Sequence, residues 1–245
     1  MSDLIDAIAE PAGAHVRLSE TVESVEYSSD VCVVSCAGGE EPYRARKVVV
    51  TVPVKVLQEG DIAFTPPLPP AKVSALGLYG MEDAAKLILV FRDRVWPEKV
   101  QSCIVGGSPI PEMWFRRCHK TGHHVCCCFA TSKFAERLKG MGEAAAVKVA
   151  RGLLEEMFGM SEGSELLDSR LMCWSDVPSV RGGYSYPKVG MSREAVEEVG
   201  RAVGGKLFFA GEATHVGAAM TVHAAMETGV EAARNVQRSL DADHD

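Results

Sequence analysis

The chain has 245 residues, 26 Lys+Arg against 33 Asp+Glu for a net charge of −7, and 47% hydrophobic and 24% charged residues. That balance fits one or two globular domains and excludes a collagen-like repeat or a low-complexity disordered chain. No stretch clusters Lys and Arg as phosphate neutralisation requires, so direct nucleic-acid binding is not expected, and an acidic surface favours cationic small molecules.

The apolar runs at 47–56 and 86–91 fall short of the ~20 residues a spanning helix needs, so no membrane span is expected. The opening MSDLIDAIAE has neither the basic nor the apolar stretch of a secretory signal. Eight cysteines, at 32, 36, 103, 118, 126, 127, 128 and 173, follow no disulfide-scaffold spacing. They read as free thiols in a reducing, intracellular and cytoplasmic setting.

In chain order, β-branched runs at 16–18, 22–27, 31–35 and 44–52, punctuated by Ser28-Ser29-Asp30 and Ala37-Gly38-Gly39, predict an antiparallel meander. Lys47-Val48-Val49-Val50-Thr51-Val52 is apolar on both faces, which predicts a strand covered on both sides and ended by Pro53. The proline-rich FTPPLPP at 64–70 places a domain crossing between Pro53 and Pro70, with a short helix at 72–78 after it. Buried strands are expected at 85–91 and 125–130 and another strand at 166–174. Between them lies a helix at 143–158 with Ala146, Val149, Leu153 and Met157 on one face and Gly159 as its stop. The last unit reads as strand 206–210, small-residue loop 211–220 and a helix from Thr221. That helix sets Val222, Ala225, Met226, Gly229, Ala233 and Val236 on one face.

A loop that leaves the carboxyl end of a strand and enters a helix N-terminus is where open α/β sheets bind ligands, and the N–H groups and dipole there stabilise negative charge. Glu212, just past the strand, is placed to accept hydrogen bonds from ligand hydroxyls. By themselves the residues fit at least as well an ordinary βα unit, with Glu212 in solvent and Thr221 as the N-cap. Cys118-His119, His123-His124 and Cys126-Cys127-Cys128 have the residue types of a zinc site. Alternation along a strand divides the last three between two faces and no CxxC pair is present, so no metal is expected. Gly140-Met141-Gly142-Glu143-Ala144-Ala145 fits a dinucleotide-binding GxGxxA by letter, but it follows the polar FAERLK and not a strand. It reads as a loop opening the helix at Glu143.

GKLFFAGEAT followed by MTVHAAMETG closely resembles the carboxy-terminal flavin-binding signature of the flavin-dependent amine oxidase family. RKVVVTVPVKVL, IAFTPPLPPAK, AAKLILVFRDRVW and CWSDVPSVRGGYSYPKVG match further family motifs in the same order, so the resemblance covers nearly the whole chain. It implies an α/β fold of α+β character. Residues 1–53 (β-meander) and 181–245 (strand-loop-helix) form a partial FAD-binding domain around a mixed-sheet substrate domain at 54–180. The GxGxxG turn that holds the FAD pyrophosphate in family members has no counterpart in this sequence. The implied activity is FAD-dependent oxidation of a polyamine-like amine with O2 as acceptor. The alternative is a catalytically silent fragment or interaction module that does not retain FAD alone.

On that resemblance Lys86 matches the lysine that holds a water against flavin N5, and Tyr184 matches one wall of the cage around the substrate amine, a use of the aromatic face that attracts ammonium. These two are the implied catalytic residues. Val22 matches a valine touching the adenine end, and Pro53 and Trp174 match positions beside the cofactor. Glu212 matches the acid on FAD hydroxyls, and Thr221 and Val222 match the helix start whose amides face flavin N1 and O2. Read without the resemblance, Lys86 is a strand-end lysine and Val22 and Trp174 are core residues. Gly183 stands where covalent monoamine oxidases have cysteine, which implies non-covalent FAD. Thr221, not tyrosine, stands at the opposing wall, which favours the polyamine-oxidase and histone-demethylase branch. Ala224 stands where many members have glycine, and its methyl crowds the helix against the cofactor. The implied partners are the amine substrate and, through bared apolar surface, a second copy or a complementing nucleotide-binding chain.

Overall fold

The computed structural model describes residues 2–9, 16–39, 41–161 and 163–243. After helix α1 (Ser2–Ala9), strands β1 (Val22–Glu26), β2 (Cys32–Cys36) and β3 (Tyr43–Ala45) pair as the expected antiparallel meander. The run at 16–18 is not a strand. Val16 and Leu18 stand in solvent, and the chain turns at Ser19, whose φ is +62°.

The run at 44–52 is two strands, not one. β4 (Val48–Val50) leaves the meander and pairs in parallel with a strand near the carboxyl end. The break falls at Arg46-Lys47, where the Lys47 ammonium is held by the Gly205 carbonyl at 2.9 Å and Asp243 at 2.6 Å. Val48 and Val50 pack on the meander core, but Val49 is 42% exposed, so β4 is covered on one face and not on both. Pro53 follows the end of the ladder at Val50 and forms the N-cap of α2 (Val54–Glu59), a helix the sequence did not announce.

β5 (Ala63–Thr65) returns to the meander in parallel with β1, giving sheet order β3-β2-β1-β5. α3 (Pro70–Gly77), β6 (Tyr79–Glu82) and β7 (Ala84–Phe91) follow, then β8 (Ser102–Ile104), β9 (Glu112–Arg117) and β10 (His124–Thr131). α4 (Ser132–Met141) and α5 (Glu143–Phe158) meet at Gly142, the site of the GxGxxA-like string, and β11 (Leu166–Cys173) closes a sheet of order β11-β7-β10-β9-β8. That sheet is antiparallel in every pairing, where a mixed sheet was expected in this region. Its strands are joined by short loops and an αα pair that reverse the chain, and parallel neighbours would need crossovers. Parallel pairing falls instead between β1 and β5 and between β4 and the strand near the carboxyl end.

Alternation gives the large sheet two unlike faces. Ala85, Leu87, Leu89 and Phe91 of β7 are buried with Cys126 and Cys128 against Ala135 and Leu138 of α4 and Ala146, Ala150 and Leu154 of α5. The α5 stripe is rotated about one position from the predicted one, leaving Val149, Leu153 and Met157 half-buried. The opposite face carries Lys86, Ile88, Trp114, Cys127 and Phe129. All eight cysteines are free. Among the described residues no three His, Cys, Asp or Glu side chains come together as a metal site, and no helix is long and apolar enough to cross a membrane.

β12 (Tyr184–Pro187) pairs with β6; α6 (Arg193–Gly200) leads to β13 (Leu207–Phe209), the parallel partner of β4; and α7 (Val222–Ala242) ends the fold. The apolar face predicted for α7 is largely not the one that packs. Ala224, Thr228 and Ala232 are buried, while Val222, Met226 and Val230 point outward. The Gly211 N–H donates to Thr228 Oγ1 at 3.1 Å and the Thr228 hydroxyl donates to the Ala224 carbonyl at 2.9 Å, so a polar lock with small neighbours seats the helix on β13.

Candidate functional site

The carboxyl ends of β4 and β13 lie side by side, as parallel strands require, and the chain leaves them in different directions. From β4 it runs through Thr51, Val52 and Pro53 into α2. From β13 it turns at Gly211, whose φ of +134° and ψ of 167° suit glycine alone, into a single 3-10 turn at Glu212–Thr214. The gap between the two exits is a cavity of about 240 Å³ lined by Pro53, Gly183, Tyr184, Glu212 and Ala225 among others. This is where an open α/β sheet binds ligands. A larger cleft of about 520 Å³, between α6 and α7 beside Arg201, His215 and Asn235, contains none of the residues the sequence singled out.

One side of the cavity is held by buried polar contacts. The Tyr79 hydroxyl donates to the Ala213 carbonyl at 2.5 Å, and burial pushes its pKa up to about 12. Glu212 Oε1 accepts the Ser185 N–H at 3.0 Å, and Oε2 accepts the Ser185 hydroxyl at 2.9 Å and the Met220 N–H at 2.7 Å. Met220 has φ +68°, a left-handed conformation uncommon for a side-chain-bearing residue, and that bond holds it in place just before the Thr221 N-cap. Thr221 Oγ1 accepts the Ala224 N–H at 3.3 Å, which leaves the first-turn amides at Val222 and His223 at the open end of the helix. One carboxylate therefore joins the strand carrying Tyr184 to the start of α7.

Tyr184 stands opposite Glu82, and burial raises its phenol pKa. Beside it, a Cβ built on Gly183 would lie 2.6 Å from the Ala84 Cβ, so the glycine allows β12 to close on β7. Two residues further along β7, Lys86 is surrounded by rings. Its Nζ lies 5.3 Å from the centre of Trp174, 5.4 Å from Trp114 and 5.6 Å from Phe129, within cation–π range. Trp114 stacks on Phe129 with centroids 5.0 Å apart and donates its indole N–H to Glu112 Oε1 at 2.6 Å. Burial pushes the neighbouring Cys127 thiol up to about 11.

Of the sequence-predicted residues, Pro53, Tyr184 and Glu212 share the cavity, Thr221 and Val222 join them through Met220, and Lys86 and Trp174 form a second group at the near end of β7. Val22 lies apart, in the meander opposite Cys36. Sequence reasoning missed Trp114, Phe129 and Ser185. Phe129 faces Lys86 only through the β10/β7 register and Trp114 faces Cys127 only through β10/β9, pairings that no local pattern announces. Ser185 carried a signal in its place between two tyrosines of a motif already noted.

Three antiparallel or mixed sheets and a parallel pair, with loops that border a cavity at its carboxyl end, form a mixed α/β fold similar to the flavin amine oxidase fold. Solved structures of putrescine oxidase share it: a double mutant from a redesign of its cofactor binding superposes with a TM-score of 0.83 at 18% identity, over 97% of this chain and 53% of that one. The wild type bound to putrescine gives 0.81 at 16%, over 100% and 53%. The family model "flavin containing amine oxidoreductase" matches residues 1–237, and the chain belongs to that family. Lysine-specific histone demethylase 1B of Mus musculus is 31% identical over 96% of this chain and 29% of its own length. Probable polyamine oxidase 4 of Arabidopsis thaliana is 31% identical over 92% and 45%. The chain thus spans half or less of the length of these curated relatives.

Proposed function

We propose that this chain provides the substrate-facing and flavin-facing part of an FAD-dependent amine oxidase that uses a polyamine-like amine and O2, with residues 54–180 as its substrate domain. The observation that carries this reading is the Lys86 side chain set among Trp114, Phe129 and Trp174, two residues along β7 from Ala84, which packs on the Gly183 that lines the cavity at the carboxyl ends of β4 and β13. The residues fit the flavin end of FAD in chemistry. Lys86 and the open N–H groups at the start of α7 offer positive potential, and the cavity wall is largely apolar. At about 240 Å³ the enclosed space is smaller than the ~300–1,000 Å³ of ordinary cofactor pockets, so it suits part of the cofactor. Ala84 packs so closely on Gly183 that a cysteine side chain does not fit there, which supports non-covalent binding.

Bound FAD would supply hydride-accepting chemistry for the carbon next to the amine nitrogen. Tyr184 presents a ring face that attracts the ammonium form of the substrate and orients the neutral form. Trp174 and the Trp114–Phe129 stack surround the partly exposed Lys86 head with ring faces, which position it for an anionic or polarised group before it. Thr221 fixes the helix start, and Val222 and His223 direct their amides outward from it. Glu212, with three donors in place, keeps one acceptor site for a further hydroxyl. A complementing nucleotide-binding chain would supply the pyrophosphate contacts.

The test is flavin titration of the purified chain, alone and co-expressed with the amino-terminal half of a polyamine oxidase, followed by anaerobic bleaching with spermine. Amine-dependent bleaching is expected, and Lys86→Met should slow flavin reduction or reoxidation at least tenfold, about 1.4 kcal/mol in the barrier, with the melting temperature unchanged. A variant that turns over at the wild-type rate would remove Lys86 from the reaction centre.

A further inference from the structure

Residues 174–183 carry the chain from β11 to β12 and so connect the two groups of the site, Trp174 beside Lys86 and Tyr184 in the cavity. The segment belongs to no strand. It opens with a single 3-10 turn at Trp174–Asp176, residues 176–179 are exposed, and Val180 returns to line the cavity together with Val54 and Leu57 of α2. Charge holds it at two points. Asp176 pairs with Lys139 of α4, and the Arg181 guanidinium reaches the far end of α2.

Arg181 has three partners. Its Nη1 meets Glu59, the last residue of α2, Nη2 meets Asp61 at 2.5 Å, and Nε donates to the Pro178 carbonyl at 2.8 Å. The end of α2 is itself fixed, because the Gln58 amide donates to the Leu76 and Tyr79 carbonyls at 2.6 and 2.9 Å. A planar guanidinium holds several acceptors in set directions, which a lysine ammonium does not do. That grip is maintained against the backbone. Arg181 has φ +59°, a left-handed conformation that crowds a Cβ and that glycine adopts freely. The chain is held on either side of it: the Val177 carbonyl accepts the Val180 and Arg181 N–H groups at 2.9 Å each, and the Gly183 N–H donates to the Glu82 carbonyl at 2.8 Å. A side chain kept where glycine would sit without strain marks the guanidinium, not the turn, as what this position supplies.

We propose that residues 174–183 form a strap over the amine site and that Arg181 is the positioning residue that holds it, with Val180 against the cavity and Trp174 against Lys86. The proposal rests on the amine-oxidase reading of Lys86 and Tyr184 given above. Arg181→Gly is the diagnostic variant, since it releases the clamp and the left-handed strain together and should leave the melting temperature close to that of wild type. Glu59→Gln with Asp61→Asn releases the clamp with Arg181 in place. The first readout needs no flavin: NMR spectra of the chain itself, labelled at valine methyl groups and with fluorotryptophan. Both variants should move the Val180 and Trp174 signals and leave that of Trp96, in the closed core, where it is. In flavin-loaded enzyme the rate of flavin reduction by spermine should fall at least about tenfold in both, as misplacement of a reacting group causes. The spermine dissociation constant, set at Tyr184, should change less than about threefold, with flavin content unchanged. Arg181→Lys, which keeps the charge but not the fork, should show the same slow reduction. Unmoved Val180 and Trp174 signals, or reduction at the wild-type rate, would overturn the proposal. So would flavin content, spermine affinity and melting temperature falling together, the mark of a structural role alone. A wild-type enzyme that spermine does not bleach refutes the amine-oxidase reading and this role with it, and the spectra then tell separately whether the clamp holds the strap.

Discussion

On β7, Leu87, Leu89 and Phe91 are fully buried under α4 and α5, whereas on β4 Val49 stands open and on α7 the valines and methionine of the outer stripe face water. The five-stranded sheet closes its own core with branched and aromatic side chains. The β4/β13/α7 unit is joined by small residues and by polar locks at Thr228, Glu212 and Lys47. Both regions bury apolar side chains, Val50, Leu207 and Phe209 packing on the meander, but the seating of α7 relies on a few specific bonds and leaves the apolar side chains of its outer stripe in water.

The largest expected difference between the regions is in the cost of truncation. Leu87→Ala should destabilise the chain by about 2–5 kcal/mol, as cavity formation in a closed core does. Met226→Ala should change unfolding by no more than about 0.5 kcal/mol at concentrations where the chain is monomeric. Denaturant melts of the two variants measure this, and equal losses would erase the contrast. At the junction of the regions, Gly183→Ala should cost about 1–3 kcal/mol through overpacking on Ala84, with Ala84→Gly on the same chain recovering part of it. Non-recovery would trace the glycine requirement to the backbone instead. Ser185→Ala removes one of three donors to Glu212 and should cost about 1 kcal/mol, while shifting the Met220 amide resonance across the clamp. An unmoved Met220 signal would uncouple the two segments.

A separate effect is one of pH. Lys72 is buried over the Phe209 ring and donates to the Glu198 and Val199 carbonyls at 2.6 and 2.9 Å; burial lowers its pKa from 10.5 to about 8. Between those values the unfolded chain keeps a proton that the folded chain has released. The Lys72 contribution to stability therefore rises from about pH 8 to about pH 10.5, and below pH 8 its full cost is present. The stability of wild type relative to Lys72→Met should climb through that window. A flat difference would mean that the two carbonyls keep the ammonium charged.

Periodicity sufficed where one element meets one environment. The helix at 143–158 has the bounds its apolar spacing and Gly159 dictate, and the α3, β7 and β10 readings differ from the observed elements by a residue or two. It failed where an element's surroundings come from distant chain. Val49 looked like a doubly covered strand residue because hydrophobicity does not reveal which neighbour is present, and α7 looked as if its Val/Met stripe faced inward because the Thr228 lock depends on Gly211. Short strands such as β6, β8 and β12 carry too few residues to show alternation. The candidate site was legible as a set of motif positions. The rings around Lys86 came only from sheet register, which a linear pattern does not encode.

Glu212 also has a mechanical consequence. Its carboxylate ties the backbone of β12 to the backbone that enters α7, so the wall presented by Tyr184 and the amides of the helix start move as one body. By linkage, a ligand that favours one position of that body at the helix start favours it equally at Tyr184, and the reverse holds with the same free energy. Tyr184 and Thr221, 37 positions apart in the chain, thus share a single degree of freedom, set by one side chain.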